Sequence, residues 1–271
     1  MEENQLNAVV LKRVEVAPGL IVLRVRPTGW ELPDFEPGQY AVLALPGSAR
    51  RAELSDPEEE APPPDKLIKR AYSIASSSKE KDFVELYITL IRSGSLTPRI
   101  FALKEGDGIS LGEKFKGMFT LQQVPETSNI VMIATGTGIA PYMSMLRTEF
   151  KLRPGRRFAV FHGARHSWDL GYRAELSTIA YYSESFAYLP SVSRPDAETD
   201  GWAGHTGYVQ DLWRKKPLES RWGVQPTPDN THIFLCGAPA MVETMSQILL
   251  SEGFKEHKKK EPGQVHIERF W

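Results

Sequence analysis

Short apolar segments separated by turn residues fill the first half of the chain. Val, Ile, Leu and aromatic side chains concentrate in five segments: 9–11, 20–25, 40–43, 70–75 and 83–92. Turn residues such as Pro37-Gly38 lie between them. Closely spaced strands with few helices between them predict an antiparallel barrel. One helix is predicted at 96–103, with Thr97 as its cap and Pro98 in its first turn.

The pattern changes after Asn129, where apolar strands begin to alternate with helices. Strands are predicted at 130–134, 157–162, 185–192, 231–235 and 265–270. Helices are predicted at 139–150, 172–180 and 238–250. This alternation predicts a mainly parallel sheet covered on both faces. The change of pattern divides the chain into a barrel domain, 1–124, and an α/β domain, 125–271.

A stretch rich in Pro, Glu and Ala, residues 46–66, interrupts the barrel pattern. It contains the acidic run Glu58-Glu59-Glu60 and shows no periodicity. Such composition predicts an exposed, mobile loop with solvated carboxylates. A contact between the acidic run and a partner is the alternative.

Composition restricts the class of protein. The 271 residues suffice for two domains, and the net charge of −1 gives no general attraction to nucleic acid or membranes. A single cysteine excludes an internal disulfide and a four-thiolate iron–sulfur cluster. The six histidines lack a nearby Cys or carboxylate constellation, so no metal site is predicted. With no basic and apolar leader and no membrane-length apolar run, the sequence predicts a cytoplasmic protein, taken to be a monomer.

The segment Arg70-Ala71-Tyr72-Ser73 has side chains that suit a flavin. A guanidinium makes charge-assisted bonds to phosphate, and an aromatic ring two residues away lies on the same face of a strand. The Ser73 hydroxyl is expected near flavin N5. Downstream, the predicted helix start Gly94-Ser95-Leu96-Thr97 offers backbone N–H groups to a second phosphate. A surface strand and an ordinary capped helix are the alternatives.

A glycine turn follows the first strand of the α/β half. Thr135-Gly136-Thr137-Gly138 leads into a predicted helix, and Pro141 stands where the full dinucleotide fingerprint has its last glycine. Glycines allow the tight turn and the close approach of backbone N–H groups to phosphate. The turn therefore predicts binding of a nicotinamide dinucleotide.

Cations at two strand ends predict the phosphorylated form, NADP(H). Dinucleotide-binding domains that select NAD carry an acidic residue after their second strand, whereas this chain has Arg165. Ser193 and Arg194 follow the next strand, and Tyr208 with Gln210 lies downstream. Two guanidiniums and a hydroxyl suit a 2′-phosphate, and the tyrosine suits stacking on adenine.

Taken in order, these motifs resemble the ferredoxin–NADP⁺ reductase family, above all its bacterial flavodoxin/ferredoxin branch. The motifs are Arg-x-Tyr-Ser at 70–73, Gly94 to Thr97, Gly-Thr-Gly-Ile-Ala-Pro at 136–141 and Leu-Cys-Gly-x-Pro-x-Met at 235–241. The resemblance implies a six-stranded antiparallel FAD-binding β-barrel followed by an NADP-binding α/β domain. It also implies that Cys236 lines the nicotinamide pocket and that Glu268 tunes or relays protons at the flavin edge. By the same resemblance, the terminal Phe270 and Trp271 contact flavin or adenine.

The resemblance implies an FAD enzyme that takes hydride from NADPH and exchanges single electrons with ferredoxin or flavodoxin. Where plant-type and bacterial members are expected to have further arginines, this chain has Thr206 and Tyr208. The preference for NADPH over NADH is therefore expected to be less strict. The alternatives are a reductase of an oxygenase, a free-flavin or quinone reductase, and a non-catalytic FAD-binding electron-transfer subunit.

Overall fold

A computed structural model describes residues 6–150 and 155–269. The chain forms two compact units. The first contains the residues up to Thr120 together with Ala140–Thr148. The second contains Leu121–Ile139 and the residues from Glu149 onward.

The first unit is built on six antiparallel strands, in the order β4-β3-β6-β1-β2-β5. Their bounds are β1 Ala8–Ala17, β2 Leu20–Pro27, β3 Tyr40–Pro46, β4 Leu67–Ser73, β5 Val84–Thr89 and β6 Gly108–Leu111. Just beyond β4, Ile74 forms an antiparallel bridge with Leu86 of β5. This bridge joins the two edges of the sheet, so the predicted six-stranded antiparallel barrel is confirmed.

Alternating side chains fill the barrel. On β2, Ile21, Leu23 and Val25 are fully buried, whereas the residues between them are partly exposed. Burial of each such side chain contributes about 1.5–3 kcal/mol. The sequence did not predict β6, because the strand has only four residues and the first of them, Gly108, is part of the glycine turn at 106–108.

A single helical turn, α1 Thr97–Phe101, interrupts the strands. The helix is shorter than predicted. The prediction that Thr97 caps it is wrong, because Leu96 is the N-cap residue and no side chain caps the helix. The Thr97 hydroxyl instead accepts from the N–H of Ile91 at 3.0 Å and donates to its carbonyl at 3.1 Å. Thr97 therefore ties the helix to the preceding turn.

The second unit contains a parallel sheet in the order β10-β9-β8-β7-β11-β12. The strands are β7 Asn129–Thr135, β8 Phe158–Ala164, β9 Phe186–Val192, β10 His205–Thr206, β11 Thr231–Cys236 and β12 Val265–Glu268. Strand β7 lies between β8 and β11, where the order of the strands reverses. In such sheets the crevice at this reversal is the usual ligand site. The predicted parallel α/β sheet is confirmed.

The remaining helices are α2 Ala140–Glu149, α3 Arg173–Tyr182, α4 Val209–Arg214, α5 Pro217–Trp222 and α6 Pro239–Ser251. Sequence reasoning missed β10, α4 and α5, which have two to six residues each. Such short elements show little periodicity. Trp213 of α4 and Trp222 of α5 belong to the apolar core of this unit, and the ring of Trp213 lies 5.6 Å from that of Phe161 between centroids. Within residues 6–150 and 155–269, no helix combines the length and hydropathy needed to cross a membrane.

Candidate functional site

Two hydroxyl groups at the end of β4 are buried without a hydrogen-bond partner among the residues that the structure describes. They belong to Tyr72 and Ser73. Burial raises the pKa of Tyr72, so the phenol remains protonated and able to donate. Arg70, two residues before Tyr72, is exposed, and its Nη1 donates to the carbonyl of Lys69 at 2.7 Å. Because buried polar groups are normally bonded, these hydroxyls mark a place for a polar ligand.

The segment before α1 also has free donors. In the described chain, the N–H groups of Ser95 and Leu96 donate to no protein acceptor. The N–H of Gly94 closes a turn onto Ile91 at 2.8 Å. With only one helical turn following, this segment can offer an anion its individual N–H groups rather than a long helix dipole.

The prediction that the acidic run of 46–66 is wholly solvated is wrong for Glu58. Its carboxylate accepts from Arg51 Nη1 at 2.8 Å and from Arg99 Nη1 and Nη2 at 2.7 and 2.9 Å. The bond from Arg99 is the main cause of a lowered pKa of Glu58. The Arg99 side chain is only 2% exposed. Sequence reasoning singled out neither Glu58 nor Arg99, because the aperiodic loop gives no local signal for such a contact.

The predicted glycine turn lies at the carboxyl end of the central strand β7. A 3₁₀ turn, Gly136–Ile139, leads into α2, with Pro141 buried as its second residue. A Cβ on Gly138 would lie 2.2 Å from the carbonyl oxygen of Cys236, so only glycine fits there. The Thr135 hydroxyl accepts from the N–H of Ala238 at 2.8 Å. These contacts join the ends of β7 and β11, and Thr137 lies within the turn.

The two predicted cations are brought together. The N–H of Arg194 donates to the carbonyl of Arg165 at 2.9 Å, and the N–H of Ser193 donates to that of Ala164 at 3.0 Å. Both arginine side chains are exposed. Within the described residues, neither forms an ion pair with a carboxylate. The paired strand ends thus carry two exposed arginines, neighbours through their backbones, whose guanidiniums can bond an anion.

The remaining two members of this predicted site follow β10. The N–H of Gly207 donates to the carbonyl of Val192 at 2.9 Å, which brings the start of α4 to the end of β9. Tyr208 is the N-cap residue of α4 and is 63% exposed, as a stacking surface requires. Gln210 lies in the first turn, and its Oε1 is buried without a partner among the described residues.

Cys236 and Glu268 occupy paired positions on β11 and β12. Cys236 is fully buried, and burial raises the pKa of its thiol well above the usual value. Burial also raises the pKa of Glu268 to about 8. Phe270 and Trp271 lie outside the described residues, and no group of His, Cys, Asp and Glu suited to a metal occurs within those residues.

Comparison with known proteins first defines the architecture. A family model described as the oxidoreductase NAD-binding domain matches residues 132–247. The crystal structure of a ferredoxin NADP⁺ reductase from Neisseria gonorrhoeae, with bound FAD and NADP, superposes with a TM-score of 0.80. It is 24% identical in sequence and covers 97% of this chain and 98% of that chain. The two units therefore have the fold of two-domain NADP⁺ reductases.

Sequence comparison then gives the family. The flavodoxin/ferredoxin–NADP reductase of Escherichia coli K12 is 32% identical over 75% of this chain and 81% of its own length. The flavodoxin/ferredoxin–NADP reductase of Buchnera aphidicola from Schizaphis graminum is 28% identical over 98% of both chains. The chain belongs to the flavodoxin/ferredoxin–NADP reductase family, which confirms the resemblance inferred from the motifs.

Proposed function

We propose that this protein is an FAD-dependent oxidoreductase that transfers hydride between NADPH and FAD and exchanges single electrons with ferredoxin or flavodoxin. The observation that carries the proposal is the 32% identity to the Escherichia coli flavodoxin/ferredoxin–NADP reductase across three quarters of the chain. Membership of this family makes the protein an enzyme of the oxidoreductase class. We further propose that it works in the cytoplasm as a monomer.

The first unit offers groups that fit FAD. Arg70 supplies a cation for phosphate, and Tyr72 and Ser73 supply buried hydroxyls that lack protein partners in the described chain. The free N–H groups of Ser95 and Leu96 suit the second phosphate, while Gly94 and Thr97 shape the turn around them. We propose that these residues, with Ala71, hold the flavin.

The second unit offers groups that fit NADP(H). The turn from Thr135 to Gly138 permits close approach of a diphosphate, and the adjacent Arg165 and Arg194 suit the 2′-phosphate. We propose that Ser193, Tyr208 and Gln210 complete the adenosine site. An acidic residue that would select NAD is absent from this position after β8, which Arg165 occupies.

When bound, the two cofactors supply the hydride chemistry, and the protein binds, orients and shields them. Ser73 would donate its free hydroxyl to the flavin ring. Cys236 would give the nicotinamide a small, uncharged wall, since its thiol is buried and remains protonated. Glu268 would hold a proton at neutral pH, because its raised pKa favours the acid form. We also propose that Phe270 and Trp271 cover the cofactors.

Rapid mixing of the holoprotein with NADPH under anaerobic conditions tests the proposal. Bleaching of the flavin absorbance is expected, followed by reoxidation with ferredoxin or flavodoxin from the same cell. Reoxidation only by free flavin, by quinone or by an oxygenase component would favour the corresponding alternative reductase. Flavin that is bound but not reduced would identify a non-catalytic subunit, and a protein that binds no FAD would exclude the proposal.

A further inference from the structure

One half-buried carboxylate, that of Glu58, fixes the loop of residues 47–58 to α1 and the segment before it. Glu58 receives two bonds from Arg99 and one from Arg51, all between 2.7 and 2.9 Å. Backbone bonds run in parallel, from Ala52 N–H to Pro98 O at 2.9 Å and from Asp56 N–H to Arg92 O at 3.0 Å. The loop is therefore attached to residues 92–99 along its length, with Glu58 at the charged centre.

The same two arginines hold the carbonyl groups of the segment. Arg51 Nη1 donates to the carbonyl of Gly94 at 3.0 Å, and Arg99 Nη1 donates to that of Ser95 at 2.6 Å. A trans peptide is planar, so its N–H points opposite to its carbonyl. Both peptides are trans, since the chain has no cis bonds in its described part. Holding these two carbonyls toward the arginines therefore directs the N–H groups of Ser95 and Leu96 the other way.

Those two N–H groups are the ones with no protein acceptor in the described residues. The Arg99 side chain is only 2% exposed. It therefore bonds the carbonyl side of the segment from the protein interior and does not contact a ligand. Without the Glu58 carboxylate, the Arg99 guanidinium would be left buried and short of a counter-ion, which is strongly unfavourable. Among the described residues, only carbonyl acceptors would remain, those of Gly47 and Ser95 for Arg99 and those of Asp56, Arg92 and Gly94 for Arg51. The one group that holds both guanidiniums together would be lost.

We infer that Glu58 is a positioning residue for the flavin diphosphate, holding Arg51 and Arg99 so that the N–H groups of Ser95 and Leu96 face the phosphates. The inference rests on the proposed function, because it takes FAD as the ligand of this segment. The loop that carries Glu58 is thereby part of the flavin site.

The test compares FAD with riboflavin, which has the same ring system but no phosphate. Both dissociation constants are measured on the flavin-stripped, full-length chain by fluorescence quenching, in Glu58→Gln and in the control Glu59→Gln. Glu59 is the exposed neighbouring acid. In Glu58→Gln the FAD dissociation constant is expected to rise about tenfold relative to the control, while that of riboflavin changes less than about twofold.

A rise of less than about threefold for FAD would overturn the inference, and so would an equal loss for both flavins, which would mean general damage to the barrel. Should Glu58→Gln fail to fold, the same two dissociation constants are measured in Arg51→Lys and judged by the same fold-changes. An ammonium cannot make the planar set of bonds that Arg51 makes. Failure of the wild type and of Glu59→Gln to bind FAD would refute the proposed function instead.

Discussion

Cys236 lies opposite Glu268 in the register of two parallel strands. Burial is the main cause of the raised pKa of both groups, and the neighbouring Glu268 further raises the pKa of Cys236. The pair is therefore uncharged at neutral pH, although each member is ionisable. Glu268 Oε2 has no hydrogen-bond partner among the described residues, which leaves it free to bond a ligand.

Replacing Glu268 by Gln is expected to stabilise the flavin-free protein increasingly from pH 5 to pH 8. The carboxyl has a pKa of about 8 when folded and 4.5 as an ordinary group. Its favourable contribution is complete below pH 4.5 and is lost as the pH rises toward 8, whereas Gln does not titrate. Thermal unfolding should show a gain in Tm that grows with pH, with an upper limit of about 4–5 kcal/mol in the free energy of unfolding at pH 8. The control variant Glu261→Gln, in which an exposed glutamate is replaced, should show no pH-dependent gain in Tm.

The Cys236 thiol should react slowly in the native protein. Its burial and raised pKa leave little thiolate, the reactive form. Because it is the chain's single cysteine, labelling with iodoacetamide reports on it alone. Native labelling is expected to be about 100-fold slower than labelling in urea, since local opening must precede reaction. Similar rates in both conditions would contradict the burial of the thiol.

Removing both predicted phosphate-binding cations should weaken the use of NADPH much more than the use of NADH. In Arg165→Ala/Arg194→Ala, KM for NADPH is expected to rise about tenfold or more, because two charge-assisted contacts are lost, while KM for NADH changes little. Steady-state kinetics with ferricyanide as acceptor measure both constants. Arg214→Ala is the control, as Arg214 is exposed and pairs with Asp211. An equal rise for both cofactors would overturn the assignment of the 2′-phosphate site.

A methyl group at position 138 should disrupt the end of the central strand. The Cβ of Gly138→Ala would meet the Cys236 carbonyl oxygen at 2.2 Å, and backbone cannot yield as a flexible side chain does. We expect a loss of about 1–3 kcal/mol in the free energy of unfolding, together with weaker NADPH binding. Chemical denaturation and NADPH titration check this. Thr137→Ala, in the same turn, should leave stability nearly unchanged.

Acid should destabilise the second unit through buried histidines. Burial lowers the pKa of His162 to about 3 from the ordinary 6.5. The unfolded chain therefore binds more protons below pH 6.5, and stability falls by about 1.4 kcal/mol per pH unit for this residue. His162→Gln should reduce the slope of stability against pH between 4 and 6.5. Burial also lowers the pKa values of His232 and His266, to about 4 and about 3. The variant should therefore keep a slope of stability against pH that is smaller than that of the wild type but not zero.

The sequence predicted the long elements and the strand-end motifs well. Strand β7 and helix α6 are strongly apolar or periodic, so their positions were predicted within one or two residues. The meeting of Arg165 with Arg194 also followed from sequence, because parallel strand ends share one edge of a sheet.

Contacts between residues far apart in sequence could not be predicted. Glu58 is separated from Arg99 by 41 positions, and nothing local distinguishes it from Glu59 or Glu60. Likewise, the capping role expected of Thr97 depended on where the helix begins, and Leu96 takes that position. Tertiary packing, which local propensity does not encode, decided both cases.

The carboxylate link between loop and barrel limits how the protein can be shortened. The stem of the loop closes at Gly47 N–H to Lys66 O, 3.0 Å, so excising residues 48–65 looks geometrically simple. Excision would nevertheless leave the Arg99 guanidinium buried without the Glu58 carboxylate, which lowers the free energy of unfolding by about 3–5 kcal/mol. A trimmed variant made for crystallisation or fusion would therefore need a neutral residue at position 99 as well.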